Sequence, residues 1–229
     1  MSTTVTATPP LVATRESYGK ALAELGRTRK DIVVLDADLS GSTKTNVFAK
    51  AFPERFFNSG VAEANMIGMA SGLASSGLTV FCSSFAMFAA GKVYEQIRQA
   101  IALPDVNVKI CATHAGLTVG EDGASHQMLE DLAILRVLPN LKVFVPADGT
   151  EAEQIVAAVA ELKGPCYVRL SRMKTPVFLP ESARFRPGHA AVLHQGNDVT
   201  IAAAGVTVWY ALQAARELAD AGISARVRR

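Results

Sequence analysis

An α/β fold, a mostly parallel sheet sandwiched by helices and followed by the start of a second α/β domain, is predicted by three features of the sequence. Short β-rich runs alternate with helix-patterned stretches between residues 14 and 172. Most of the runs are apolar throughout rather than alternating, as strands buried on both faces require. Polar stretches, most of them containing glycine, follow several of the runs, where loops at the carboxyl ends of strands belong. The strand candidates are DIVVLDAD (31–38), RFFNSG (55–60), TVFCSSF (79–85), VKICATH (108–114), KVFVPA (142–147) and CYVRLS (166–171). Helix patterns occupy 15–26, 44–52, 62–76, 86–102, 127–137 and 149–162. Gly77 fits a helix stop, and Pro104-Asp105 and Pro139-Asn140 are turn signals.

Outside this unit the pattern changes. Residues 1–13 are expected to be a flexible N-terminus, and the proline-rich stretch 173–190 a linker. Beyond it, NDVTIAAAGV reads as a strand entering a helix over 207–221, and GISARV begins another strand. Residues 191–229 therefore read as an incomplete domain, with exposed apolar surface expected around 199–227.

The 229 residues are 49% hydrophobic and carry a net charge of +2, so composition supports neither nucleic-acid binding nor a membrane role. The N-terminal stretch has no charged and apolar signal pattern, and no apolar run is long enough to span a bilayer. Cys82, Cys111 and Cys166 are widely spaced in apolar contexts, the expectation being buried reduced thiols in a cytoplasmic protein.

Four polar stretches fall at predicted strand ends: DADLSGS (36–42), SGVAEAN (59–65), THAGLTVGEDGASHQ (113–127) and LSR (170–172). Glu63 lies in the first turn of a helix of small and apolar residues. It is either a carboxylate favoured by the helix dipole, or a partly desolvated one able to share a proton with a bound base. Phe85 and Phe88, at i and i+3, suit core packing or a stack with a planar ligand. His114 and His126, two of four histidines, flank Glu121-Asp122 on one loop without zinc-like spacing. No GxGxxG follows the first strand, and GxxxxGK[ST] and GxSxG are absent.

In their order and spacing, DADLSGS, GVAEANMIGMASGLA and VGEDGASHQ resemble the pyrimidine-binding domain of transketolase, from about Thr14 to Arg172 and on into the family's C-terminal domain. The resemblance implies thiamine diphosphate as cofactor, Mg²⁺, and transfer of two-carbon ketol units between sugar phosphates. By the same resemblance Glu63 matches the glutamate that hydrogen-bonds N1′ of the aminopyrimidine, and Phe85 and Phe88 match aromatic positions around that ring. Asp38 matches a cofactor-side acid, with Asp36 left as an alternative. His114, Asp122 and His126 match substrate-facing positions, His126 with a proton-transfer role. Arg15, Ser42 and Arg172 match the group that holds a sugar phosphate, and two guanidiniums and a hydroxyl suit a phosphate dianion.

The family's GDG motif for diphosphate and Mg²⁺ does not occur, although EDG and ADG do. The resemblance therefore implies a split enzyme. In it a separate N-terminal subunit supplies the diphosphate and metal contacts, and the pair forms a homodimer. A related thiamine-diphosphate enzyme, such as a deoxyxylulose-phosphate synthase or a 2-oxoacid dehydrogenase β subunit, and a non-catalytic regulatory subunit are the alternatives.

Overall fold

The computed structural model describes residues 9–229. The chain opens with β1 (Leu11–Ala13), α1 (Thr14–Thr28) and β2 (Ile32–Asp36), then two short helices, α2 (Ser40–Thr43) and α3 (Asn46–Ala51). Next come β3 (Phe56–Asn58), α4 (Glu63–Ser75), β4 (Thr79–Ser83), the single turn α5 (Tyr94–Gln96) and β5 (Val108–Ala112). The unit continues with α6 (Asp131–Arg136), β6 (Lys142–Phe144), α7 (Gly149–Glu161), β7 (Cys166–Arg169) and β8 (Lys174–Pro176). Its main sheet has the order β3-β2-β4-β5-β7-β6, with every pair parallel.

All five residues are buried in each of the central strands β2, β4 and β5. This explains their mostly apolar runs; Lys109, the charged exception inside β5, donates its ammonium to the Leu162 and Gly164 carbonyls. One face packs against α4, the 87–102 segment and α6, through residues such as Met66, Ile67, Ile97 and Leu135. The other packs against α1, α3 and α7, through Tyr18, Leu22, Phe48, Ile155 and Val159. The chain adds β3 on one side of β2 and then crosses to β4 on the other, so strand order reverses between β2 and β4. In open parallel sheets ligands bind at such a reversal, beyond the carboxyl ends of the strands. Helix α4, carrying Glu63, is the crossing connection.

All six predicted strands form, each ending earlier than the sequence reading, and β2 and β3 also start one residue later. The 86–102 helix is not a continuous α-helix. Residues Met87–Gly91 and Ile97–Ala102 make wider turns, with Lys92 N–H bonding Met87 C=O at 3.0 Å and Leu103 N–H bonding Arg98 C=O at 3.0 Å. Such widened turns recur at functional sites. The 127–137 helix begins only at Asp131, because Gly116 N–H bonds Met128 C=O at 2.9 Å and holds the preceding residues as a loop. Asp105 and Asn140 adopt left-handed φ values of 54° and 69°, and Gly77 one of 95°, as turn and stop residues do.

Two segments expected to lack structure do not. Residues 11–13, assigned to a flexible N-terminus, and 174–176, assigned to a linker, pair as the antiparallel ribbon β1-β8. Pairing satisfies backbone groups that proline-rich composition had suggested would stay open. Residues 1–8 of the predicted N-terminus lie outside the described residues. Buried Asp148 ties the linker down further: it caps α7 at Glu151 N–H and accepts from Phe178 and Leu179 N–H at 2.9 and 2.8 Å.

The C-terminal part contains β9 (Val192–His194), β10 (Val199–Ala202), α8 (Thr207–Asp220) and β11 (Ala225–Arg228), in a sheet of order β10-β11-β9. Strand β9 has no counterpart in the sequence reading; it is only three residues long, between Ala190-Ala191 and Gln195-Gly196. Val199, Tyr210 and Ile223 are exposed, as expected of this region.

Asp36 is fully buried and accepts hydrogen bonds from Leu39 N–H (2.6 Å) and the Thr43 and Thr45 hydroxyls (2.6 and 2.8 Å). Replacing it with alanine strands all three donors. Asp36→Ala should cost about 3 kcal/mol or more of stability, and chemical denaturation with a wild-type midpoint would remove Asp36 as an organiser of the rim.

Candidate active site

Because the sheet is parallel, the stretches 36–42, 59–65, 113–127 and 170–172 all emerge on one rim, as do the residues that follow β4. Glu63 is the first residue of α4 and is only 3% exposed. Helix α4 has no side-chain cap, and the Glu63 carboxylate sits at its positive end. Lys92 Nζ donates to Glu63 Oε2 at 2.6 Å, while Oε1 accepts no hydrogen bond from the described residues. Lys92 was not singled out in the sequence. It is the only cation between Phe85 and Gln96, but nothing in its spacing links it to a carboxylate 29 positions away.

The pairing of β4 with β5 continues past both strands, through a bridge between Phe85 and Thr113. His114 then takes a left-handed conformation, φ 57°, and its ring stacks on Phe85 with centroids 3.7 Å apart. Phe88 lies 6.2 Å from Phe85, and His126 meets Phe88 edge-on at 5.3 Å. The two histidines and two phenylalanines thus form one aromatic cluster. Phe85 is buried and largely occupied by His114; Phe88 stays partly exposed and is the ring more open to a further stack.

His114 Nε2 lies 3.2 Å from Arg15 Nη1. Arginine only donates, so Nε2 holds a lone pair, the proton is on Nδ1, and the Thr113 hydroxyl 2.8 Å away accepts it. Burial, with Arg15 and Arg172 adding repulsion, pushes the imidazole down to about 3, so it is neutral at physiological pH. His126 is partly exposed, and its Nδ1 is 2.9 Å from Ser125 Oγ.

Thr14 Oγ1 accepts from Ser171 N–H at 2.8 Å and lies 3.1 Å from Ser171 Oγ, fastening the start of α1 to the end of β7. This fastening brings the neighbouring residues Arg15 and Arg172 together at the rim. Arg15 also donates to the Ser42 backbone carbonyl at 2.8 Å, and its buried Nε has no partner among the described residues. The Ser42 hydroxyl takes no part in that bond. Arg172 donates to Val119 C=O and to Glu121 at 2.5 Å, with Asp122 at 3.9 Å, so the acidic pair of the loop folds onto it. Glu121 was not assigned a role from the sequence. Asp38 is exposed at the rim with φ 63° and accepts from Asn58 Nδ2 at 2.9 Å. Asp36 is sealed within its own turn, which leaves Asp38 as the acid open to a ligand.

The three cysteines are free and buried, and burial pushes the Cys82 thiol up to about 12. No group of three or more His, Cys, Asp or Glu placed to hold a metal occurs among the described residues, and no helix there is long and apolar enough to cross a membrane.

Residues 11–177 match the family model for the transketolase pyrimidine-binding domain, and 188–228 that for the transketolase C-terminal domain. A putative transketolase C-terminal section of Methanocaldococcus jannaschii is 54% identical over 93% of this chain and 68% of its own length. Human transketolase is 41% identical over 94% of the chain but only 35% of its own length, so the chain spans about a third of such relatives. A solved split-gene transketolase, an inactive β4 tetramer, superposes with a TM-score of 0.87 at 56% identity, covering 95% of this chain and 71% of that one. Transketolase of Pichia stipitis in complex with sedoheptulose 7-phosphate gives a TM-score of 0.85 at 28% identity, covering 96% of this chain and 34% of that one.

The neutral imidazole has a consequence for stability. His114 titrates at about 3 when folded against 6.5 when unfolded, so below pH 6.5 the unfolded chain takes up the proton first. Its contribution is complete above pH 6.5 and falls as pH drops toward 3, by up to about 2 kcal/mol at pH 5. His114→Gln should therefore lose less stability than wild type between pH 7 and pH 5 in urea titrations. Equal losses would mean that His114 is not held neutral.

Proposed function

The chain belongs to the transketolase family, and we propose that it is the subunit contributing the pyrimidine-side half of a thiamine-diphosphate site, completed by a separate diphosphate-binding subunit. The observation that carries this reading is Glu63: a buried carboxylate at a helix start with one oxygen uncommitted, on the same rim as the Phe85–Phe88–His114–His126 cluster. A carboxylate and a partly exposed ring fit an aminopyrimidine, one by sharing a proton and the other by stacking.

When bound, thiamine diphosphate supplies the reactive carbon through which a two-carbon ketol unit passes between sugar phosphates. Glu63 Oε1 shares a proton with the ring nitrogen N1′, and its enclosure strengthens that bond because little water competes. Phe88 stacks on the ring, and Phe85 backs it and holds His114 in place. Asp38 stands on the cofactor side.

The remaining residues handle the sugar. His114 and Asp122 bind its hydroxyls, and His126, whose Nε2 has no hydrogen-bond partner among the described residues, moves a proton at a substrate hydroxyl. Arg15, Ser42 and Arg172 bind the sugar phosphate; the unpartnered Arg15 Nε supports this. A phosphate reaching Arg172 takes the place now held by Glu121, an exposed carboxylate that returns to water at little cost.

Mg²⁺ and the diphosphate fall to the partner, since no GDG motif occurs in this sequence. The working unit is then a homodimer of the two-subunit pair, and the buried free thiols suit the reducing cytoplasm.

Mixing the chain with a diphosphate-binding subunit, thiamine diphosphate and Mg²⁺ should give ketol transfer from xylulose 5-phosphate, with neither subunit active alone. Full activity of the isolated chain would refute the division of labour. In the assembled enzyme Glu63→Gln should lower turnover by roughly 100-fold or more; near wild-type turnover would take Glu63 out of the mechanism.

A further inference from the structure

Lys92 and Glu63 form an unequal pair. The carboxylate is 3% exposed, the lysine 52%, and Nζ lies 2.6 Å from Oε2. An enclosed carboxylate without a cation or donor is costly, so Lys92 compensates it in the chain as it stands. The lysine, by contrast, can return its ammonium to water cheaply because half its side chain is already there. Its backbone follows directly on the widened turn Met87–Gly91, four residues after Phe88. The cation is therefore rooted one turn beyond Phe88 and reaches to the carboxylate at the start of α4.

We propose that Lys92 is a placeholder: it occupies Glu63 in the subunit without cofactor and is displaced to solvent when an aminopyrimidine nitrogen meets the carboxylate, which takes up one proton from water to share with that nitrogen in place of the ammonium. This rests on the reading of Glu63 given above: Lys92 on Oε2 holds the carboxylate ionised, so it opposes the proton that Oε1 must share with the ring. The pair keeps the half-site soluble and charge-compensated before assembly. It also screens ligands, since a flat ring without a basic nitrogen gives the carboxylate nothing with which to share a proton in the ammonium's place. Lys92 acts through Glu63 and is a positioning residue.

The test is calorimetric titration of thiamine diphosphate, in Mg²⁺, into the assembled pair. Lys92→Met should bind roughly fivefold tighter than wild type at low ionic strength, the scale of one partly exposed ion pair. Lys92→Arg, which can re-form the pair, should bind like wild type. The ratio of the Met variant to wild type should shrink toward one as salt screens the pair. In a Glu63→Gln background Lys92→Met should have no further effect. Equal or weaker binding by Lys92→Met, or an unchanged effect without Glu63, overturns the placeholder role while leaving the cofactor assignment standing. A wild-type pair that binds no thiamine diphosphate overturns both.

Discussion

Every strand of the main sheet runs in the same direction, and that constraint decides where chemistry can occur. Parallel strands need long crossover connections, so the loops at their carboxyl ends gather on one rim while the helices cover both faces. In this chain the order reverses between β2 and β4, where connections leave to opposite sides, the place where open parallel sheets take their ligands. Glu63, Phe85, His114, Arg15 and Arg172 come from five separate segments. They share a neighbourhood only because of this arrangement.

Within the rim, buried polar contacts fix what direction alone leaves loose. Thr14 and Ser171 join the start of α1 to the end of β7 and so align two arginines. The Phe85–Thr113 bridge extends the sheet one step and turns His114 onto Phe85. Asp131, fully buried, accepts from Tyr167 and Arg169 at 2.8 Å each and anchors the far end of the histidine loop. Charge is then distributed unevenly. A neutral imidazole sits beside two guanidiniums, and a lone enclosed carboxylate is covered by a lysine. Both are arrangements a ligand can complete.

The fold was legible where one physical signal dominates. The buried strands announce themselves as VVLD, VFC and VKICA, α7 as a run without interior Gly or Pro, and α4 as a run of small and apolar residues that stays helical despite Gly68 and Gly72. Legibility failed where tertiary contacts override local preference. Leu11–Ala13 and Lys174–Pro176 become strands only because they meet each other across 160-odd residues. The widened turns at 87–91 and 97–102 leave the apolar spacing of a helix intact, so the pattern does not betray them. For the site, residue types on loops sufficed to nominate Glu63, His114, His126, Arg15 and Arg172. Their couplings were not readable: Lys92 with Glu63, and Glu121 with Arg172, join positions 29 and 51 apart through the fold alone. Which of Asp36 and Asp38 is exposed likewise needed the fold, since the sequence shows two carboxylates two residues apart.

The central claim is that this chain brings Glu63 to the cofactor's pyrimidine while another chain holds its diphosphate. It is tested most directly by an experimental structure of the chain assembled with its diphosphate-binding subunit and thiamine diphosphate. The account predicts N1′ within hydrogen-bonding distance of Glu63 Oε1, the ring against Phe88, and the diphosphate contacted by the other subunit. A pyrimidine bound away from Glu63, or a diphosphate held by this chain, would contradict it.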